Sequence, residues 1–352
     1  MTFDLPVVPT VCAPLGGERQ EIMQRLSIVV PNYNYGSFVG EAVASALAVD
    51  WPKVEVIVVD DGSTDDSLDV LRAFGDKITL ITQENSGPRV ACNRGFRRST
   101  GDVVIFLDSD DVLEPAIAKE VAQVWHRGVS KVQVQMRRID RRGRSFGRVF
   151  PVYRRTPTPE QIRHWMTTTS AYPTPPGSGN IYSRRFLDVL FPLDGRCGDA
   201  TDSACLAAAP YLGDVVTIPR ALVRYRVHGN NRSHLLADTR RFTSQIERAY
   251  QRHRFAREVS GLDIGSDRKE AVVPLLRGRH LLQMRVAETR VCSGPPPIPG
   301  DSRARMTRDS IVSAFAPGPE SVLHRLGVSL WCLTVLFVPA PVARRLVGWR
   351  FS

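Results

Sequence analysis

The chain has 352 residues, 43% of them apolar, which is ample for one large α/β domain with an appended module and excludes a mainly disordered protein. Its formal net charge of +11 rests on arginine far more than lysine and points to anionic partners such as phosphate groups or acidic lipid headgroups; no nucleic-acid motif accompanies it, and no nucleic-acid partner is expected. Six cysteines (Cys12, Cys92, Cys197, Cys205, Cys292, Cys332) show no C-x-x-C spacing, which argues against a disulfide scaffold or a zinc site and for a reducing compartment.

Residues 1–24 are rich in Pro and Gly and lack the charged start and apolar core of a secretory signal, so they read as a disordered leader. From residue 26 the pattern alternates: strand 26–31, helix 38–48, strand 54–60, helix 67–74, strand 78–84, helix 89–99 and strand 102–108. Alternation at these lengths predicts right-handed βαβ units and a mostly parallel, Rossmann-like sheet flanked by helices. Neither G-x-G-x-x-G nor a Walker A lysine loop follows the first strand, so phosphates must be handled another way, and a metal is the obvious one.

Further on, a helix is expected over 115–126, then two strands around the turn Asp140-Arg141-Arg142-Gly143, whose arginines read as a solvated edge. A Pro/Thr/Gly-rich stretch (172–179) leads to the helix 183–190; an acidic loop then opens onto an apolar helix near 202, followed by strands at 214–219 and 221–233. Residues 236–317 read as a helical extension. The segment 318–352 is apolar and basic, but Pro339 and Pro341 leave only thirteen continuous apolar residues, 326–338, short of the about 20 that a span needs. An interfacial helix flanked by Arg325, Arg344, Arg345 and Arg350 fits this segment, with a buried core or dimer helix as the alternative.

Two strands end abruptly in carboxylates, at Asp60-Asp61 and at Asp108-Ser109-Asp110-Asp111. Such ends are poor core and good ligand shelves, because open α/β sheets bind ligands beyond the carboxyl ends of their strands. Carboxylates so spaced suit a hard divalent cation bridged to a substrate phosphate.

In order, PNYN (31–34), VVDDGSTDDS (58–67), GPRVACNRG (87–95), FLDSDD (106–111), GDATD (198–202) and YRVH (225–228) resemble the landmarks of the family 2 glycosyltransferases, inverting enzymes with the GT-A fold. The resemblance covers about residues 26–233 and implies a catalytic domain over 25–235. It implies that Pro31, Tyr33, Asp60 and Asp61 hold the nucleoside, with Asp61 favoured for the base, since a carboxylate accepts from uracil N3–H. Asp108, Ser109 and Asp110 would meet ribose and diphosphate, and Asp110, Asp111 and His228 would bind Mg²⁺ or Mn²⁺. Asn93 stands in the family's Ala-Arg-Asn-x-Gly pattern, where Cys92 replaces the usual arginine; Arg89 and Arg94 are the possible substitutes. Arg226, alternating with Tyr225, is expected to reach the diphosphate. Asp202 fits the slot of the base that deprotonates the acceptor hydroxyl, with Asp199 as runner-up, although the acid that usually precedes the base is missing.

These expectations describe a transferase moving a sugar from a nucleoside-diphosphate-sugar to a glycan or lipid-linked acceptor, in the cytoplasm at the inner face of a membrane with peripheral contact. A sugar-phosphate nucleotidyltransferase is the alternative enzyme, but PNYNYG is not its Gly-rich, Arg-bearing loop; a non-catalytic glycan-binding relative is the third. Oligomeric state, donor and acceptor identity are not encoded in any motif.

Overall fold

The structure is a computed structural model and describes residues 24–197, 201–228, 240–262, 273–292 and 296–351. Eight strands form one sheet: β1 (Leu26–Asn32), β2 (Val54–Asp60), β3 (Thr79–Thr82), β4 (Val103–Phe106), β5 (Val112–Leu113), β6 (Val129–Ile139), β7 (Asn180–Ser183) and β8 (Asp214–Arg226), in the order β3-β2-β1-β4-β7-β6-β8-β5. The block β3-β2-β1-β4 is parallel, β7 is antiparallel to both neighbours, β6 and β8 are parallel, and β5 closes the edge antiparallel to β8. The chain leaves β1 toward β2 and later returns on its other side as β4, so a topological switch point lies between the carboxyl ends of β1 and β4.

Period-two alternation explains the layers. Leu26, Ile28 and Val30 of β1 face one side with Val56 and Val58, and are covered by Val39, Ala42, Val43 and Ala46 of α1 (Gly36–Leu47) and by Ile117 and Val121 of α4 (Ile117–Val124). Val29, Ile57, Val59, Val104 and Phe106 face the other side. There they meet α3 (Pro88–Arg98), α6 (Arg184–Leu190) and α7 (Thr201–Leu212) through Cys92, Phe186 and Cys205. The short α2 (Ser67–Arg72) and α5 (Pro159–Thr169, a capping box on Thr158 and Gln161) complete the helices of this part. The fold class is thus the expected one.

Several local expectations are corrected. The return limb of the turn at 140–143 is not a strand: it meets β6 only through isolated bridges, Met136 to Phe150 and Ile139 to Ser145. The two strands expected at 214–219 and 221–233 are one strand, β8, whose register with β6 shifts at Pro219-Arg220. Proline has no N–H to donate, so the pair bulges out exposed rather than ending the strand.

Beyond β8 come α8 (Arg240–Val259), α9 (Val273–Arg277), α10 (Arg279–Val291), α11 (Arg303–Phe315), α12 (Val322–Phe337) and α13 (Ala340–Phe351). Phe255 and Ala256 of α8 enter the sheet-side core, and His253 Nδ1 lies 3.0 Å from Ser170 Oγ, so the helical layer is packed onto the sheet rather than tethered to it. α12 bears out the core alternative on one face: Val328, Cys332, Val335 and Leu336 are buried, while Leu326, Leu330 and Phe337 are exposed. Among the described residues no helix is long and apolar enough to cross a membrane.

Candidate active site

The carboxyl ends of β1, β2 and β4 carry the acids. After β4 the chain turns at once, Asp111 N–H donating to Asp108 O (3.0 Å), and the four residues alternate in exposure: Asp108 exposed, Ser109 buried, Asp110 half-buried, Asp111 buried. The Ser109 hydroxyl donates to Pro31 O (2.8 Å) and pins this turn to the end of β1. From the other side, Asp108 N–H donates to Ser178 Oγ (3.0 Å). Gly177 allows that approach, since a Cβ there would lie 3.0 Å from Asp108 Oδ2. Asp108 and Asp110 are therefore the two carboxylates presented outward.

His228, just after β8, brings its Nε2 to 2.9 Å from Asp110 Oδ2. Its ring stacks on Phe38 (centroids 5.1 Å apart) and meets the edge of Tyr35, which fixes the imidazole although it follows the strand end. Asp111 has a different environment. Its Oδ1 accepts from Arg226 N–H (3.0 Å), and among the described residues its buried Oδ2 has no hydrogen-bond donor. Burial, then the charges of Asp108 and Asp110, hold its carboxyl well above the usual carboxylate range.

Arg226 is engaged by the protein itself. Buried to 1% exposure, it donates from Nε to Asp110 O (2.9 Å) and from Nη1 to Asp140 O (3.1 Å), pairs with Glu41 of α1, and lies over the Phe38 ring. It is a strut that holds the acidic turn to α1 and to the turn at 140–143. Arg224, two residues before it on β8, pairs with Glu114 (3.1 Å).

Asp60 and Asp61 are buried and occupied. Asp60 accepts from Asn32 Nδ2 (2.8 Å), Ser63 Oγ (2.7 Å) and Ser63 N–H (3.0 Å). Asp61 takes Gln83 Nε2 and Ser86 N–H on Oδ1 and Gly87 N–H on Oδ2, and so shapes the loop before α3. Tyr33 is exposed at the mouth. Asn93 clamps Leu193 from both ends, Nδ2 to O (2.7 Å) and Oδ1 from N–H (2.9 Å); Arg89 Nη1 donates to the same carbonyl (3.1 Å). Arg94 donates to Gln83. The bonds of Arg89 and Arg94 thus go to Leu193 and Gln83 and not to the acids of 108–111.

Asp202 lies in the first turn of α7, its Oδ1 accepting from Ser203 N–H (2.7 Å); Asp199 falls outside the described residues, as do Asn231 and Ser233. The Tyr182 phenol of β7 is pushed well up, by burial first and then by the charges of Cys205, Asp202, Tyr172 and Asp108. Both Asp202 and Asp108 therefore lie within electrostatic reach of one side chain.

Four contributors had no sequence signal of their own. Arg252 on α8, held down by burial, is electrostatically coupled to Asp202. Lys131 on β6 is fully buried and donates to Gln133 Oε1 (3.0 Å), Thr174 Oγ1 (2.9 Å) and Asn180 Oδ1 (2.9 Å). Asn180 in turn donates to the carbonyls of Pro175, Pro176 and Gly177 and so holds the loop that presents Ser178. Ser178 and Glu41 are the other two. Only the Gly-Ser-Gly of 177–179 hinted that backbone comes close there.

A switch point at β1/β4 lined by outward acids is the design of a nucleotide-binding α/β fold, and in its full strand order it is the GT-A fold of glycosyltransferases. Residues 27–191 match the family model described as glycosyl transferase family 2, and this stretch of the chain is a domain of that family. It is similar to an uncharacterised glycosyltransferase of Nostoc sp., with 33% identity over 217 residues, 59% of this chain and 66% of that one. It is also similar to the poly(ribitol-phosphate) beta-N-acetylglucosaminyltransferase TarS of Staphylococcus aureus, with 31% identity over 128 residues, 34% of this chain and 22% of TarS. The fold resembles the crystal structure of S. aureus TarS 1–349 in complex with UDP-GlcNAc, with TM-score 0.52 and 17% identity over 89% of this chain and 90% of that one.

Proposed function

We propose that this chain is an inverting glycosyltransferase that moves a sugar from a nucleoside-diphosphate-sugar to a hydroxyl of a glycan or lipid-linked acceptor, at the cytoplasmic face of a membrane. The observation that supports it most is the Asp110–His228 pair, 2.9 Å apart beside the exposed Asp108 at the switch point. The catalytic unit of this reading is 25–235, braced by the helices of 236–317.

The pair fits Mg²⁺ or Mn²⁺. Adjacent octahedral ligands at about 2.1 Å from a cation lie about 3 Å from each other, which is the separation of these two atoms. Among the described residues no group of three or more His, Cys, Asp or Glu side chains could hold a metal by itself, so the donor diphosphate would complete the shell. Asp111, buried and bonded to Arg226, supports the turn instead. When bound, such a cation neutralises the charge that develops on a departing diphosphate.

The chain's own groups do the rest. The nucleoside lies over the ends of β1 and β2, where Asp61 Oδ2, holding one donor, retains an acceptor position for a base N–H. Asp108 offers its carboxylate to the ribose hydroxyls. Asp202 takes the proton of the acceptor hydroxyl as that oxygen bonds to the anomeric carbon and the carbon's bond to the diphosphate breaks on the opposite face, which inverts the configuration. A base so placed contributes about 10²- to 10⁴-fold.

The test is release of nucleoside diphosphate by the purified protein with Mn²⁺ or Mg²⁺ across UDP-, GDP- and dTDP-sugars, with UDP-GlcNAc first because of the TarS complex. Asp202→Asn should lower turnover by about 10²-fold or more while donor affinity holds. Full activity in that variant removes Asp202 as base, and turnover unchanged by EDTA removes the cation.

A further inference from the structure

Among the described residues, nine of the fifteen exposed large hydrophobic side chains fall between Ile311 and Trp349, while the other six are scattered from Tyr33 to Val227. Scattered ones need no partner; a contiguous apolar patch does. On α12 they form a stripe. Leu323 (81% exposed), Leu326, Leu330 (67%) and Phe337 (72%) recur at spacings of three, four and seven, one face of a helix, and the opposite face carries Val328, Cys332 and Val335 into the core. The exposed face is therefore not residue from poor packing: the helix is already seated, and it is seated with a second apolar face outward.

The charges carried by α12 and α13 themselves have one sign. From 321 to 351 there is no Asp or Glu, while α13 exposes Arg344, Arg345 and Arg350. Val342, Arg345 and Trp349 (78% exposed) share one face of α13 at helical spacing. An apolar stripe bordered by arginines and an indole matches the chemistry of a bilayer interface, where the rings sit at headgroup depth and arginines reach lipid phosphates. With 16 residues α12 extends about 24 Å, too short for the about 30 Å of hydrocarbon, and one of its faces is buried.

We propose that the exposed face of α12, with the arginines and Trp349 of α13, docks this protein on a bilayer surface rich in anionic phospholipid. Charge complementarity selects that occupant. A second copy of the chain would bring the same arginines against themselves, with no acid in the segment to offset them. The docking does not depend on the proposed reaction, since it is read without turnover, and it deepens that reading by holding the site beside a lipid-linked acceptor.

The experiment is flotation of the full-length protein with vesicles of phosphatidylglycerol and phosphatidylcholine, and with phosphatidylcholine alone. Two variants accompany it: Leu323→Glu with Leu330→Glu, which loads the stripe with charge, and Arg344→Glu with Arg345→Glu. All four positions are exposed, so the melting temperature should stay within a degree or two of the wild type, and circular dichroism checks that. The wild type should float with anionic vesicles and at least tenfold more weakly with neutral ones, and the leucine variant should lose most binding to both. The arginine variant should lose the preference for anionic lipid. Wild-type protein that stays in the lipid-free fraction, or a leucine variant that floats equally well, would overturn the proposal. So would a lipid-free dimer in sedimentation velocity that the leucine variant dissociates, which would assign the stripe to a second copy.

Discussion

At the scale of single residues, the acids and the histidine at the strand ends were legible in the sequence and the groups that hold them were not. Asp108 and Asp110 lie in one short motif at the end of β4, and His228, itself buried, lies in another just after β8. Lys131 was not legible: a lysine in a strand ordinarily reads as exposed, whereas tertiary packing seals it at 0% exposure among three neutral acceptors and beside the Tyr172 ring. Burial holds its ammonium well below the usual 10.5. The sign follows: the unfolded chain keeps this proton to higher pH than the folded one, so raising pH toward 10.5 adds stability, and lowering it through that window removes it. Urea unfolding of the wild type and of Lys131→Met between about pH 8 and 10 should give a difference that changes by up to ~1.4 kcal/mol per pH unit. A flat difference would mean that the buried ammonium titrates as it does in water.

At the scale of elements, the alternation of strands and helices from 26 to 108 was readable because each strand alternates and each helix has its own apolar face. What it could not disclose is how close the layers come. Gly95 of α3 sits against β1 and β2, where an added Cβ would lie 2.3 Å from Val29 Cγ1 and 3.3 Å from Val59 Cγ2. Both valines are fully buried and have nowhere to move. Gly95→Ala should therefore destabilise the protein by about 1–3 kcal/mol, the cost of overpacking less the helix propensity gained, seen as a lower urea midpoint with unchanged m-value. An unchanged midpoint would show that α3 can slide along the sheet. The same limit applies to β8, where Pro219 suggested a break; the neighbouring strand β6 decided that the ladder continues past a bulge.

At the scale of the whole molecule, the helices beyond β8 are the part the sequence described least, because Arg, Glu and apolar residues at helical spacing do not say which charges go inside. Arg285 of α10 is 1% exposed and binds Asp301 through Nε and Nη2 (both 2.7 Å) and Asp309 through Nη2 (2.9 Å). Removing one partner of such a cluster strands the others in low dielectric. Arg285→Ala should cost about 3–5 kcal/mol. Because α8 carries Phe255 and Ala256 into the sheet-side core, the loss should appear as a lower melting temperature of the whole protein, monitored by far-UV circular dichroism. A melt with the sheet unaffected would show that the helical layer unfolds by itself.

Taken alone, the sequence determined the mostly parallel α/β architecture and the acidic strand ends, both of them local properties written in periodicity, run length and composition. It could not distinguish the surroundings of neighbouring acids. Asp110 and Asp111 are adjacent and of identical chemistry, and only the arrival of His228 beside one and of the Arg226 backbone beside the other separates their environments. It could not choose between core and interface for 326–338 either. The tertiary structure buries one face of α12 and leaves the other exposed, because a helix has two sides and a run of apolar residues does not say how many of them will be covered.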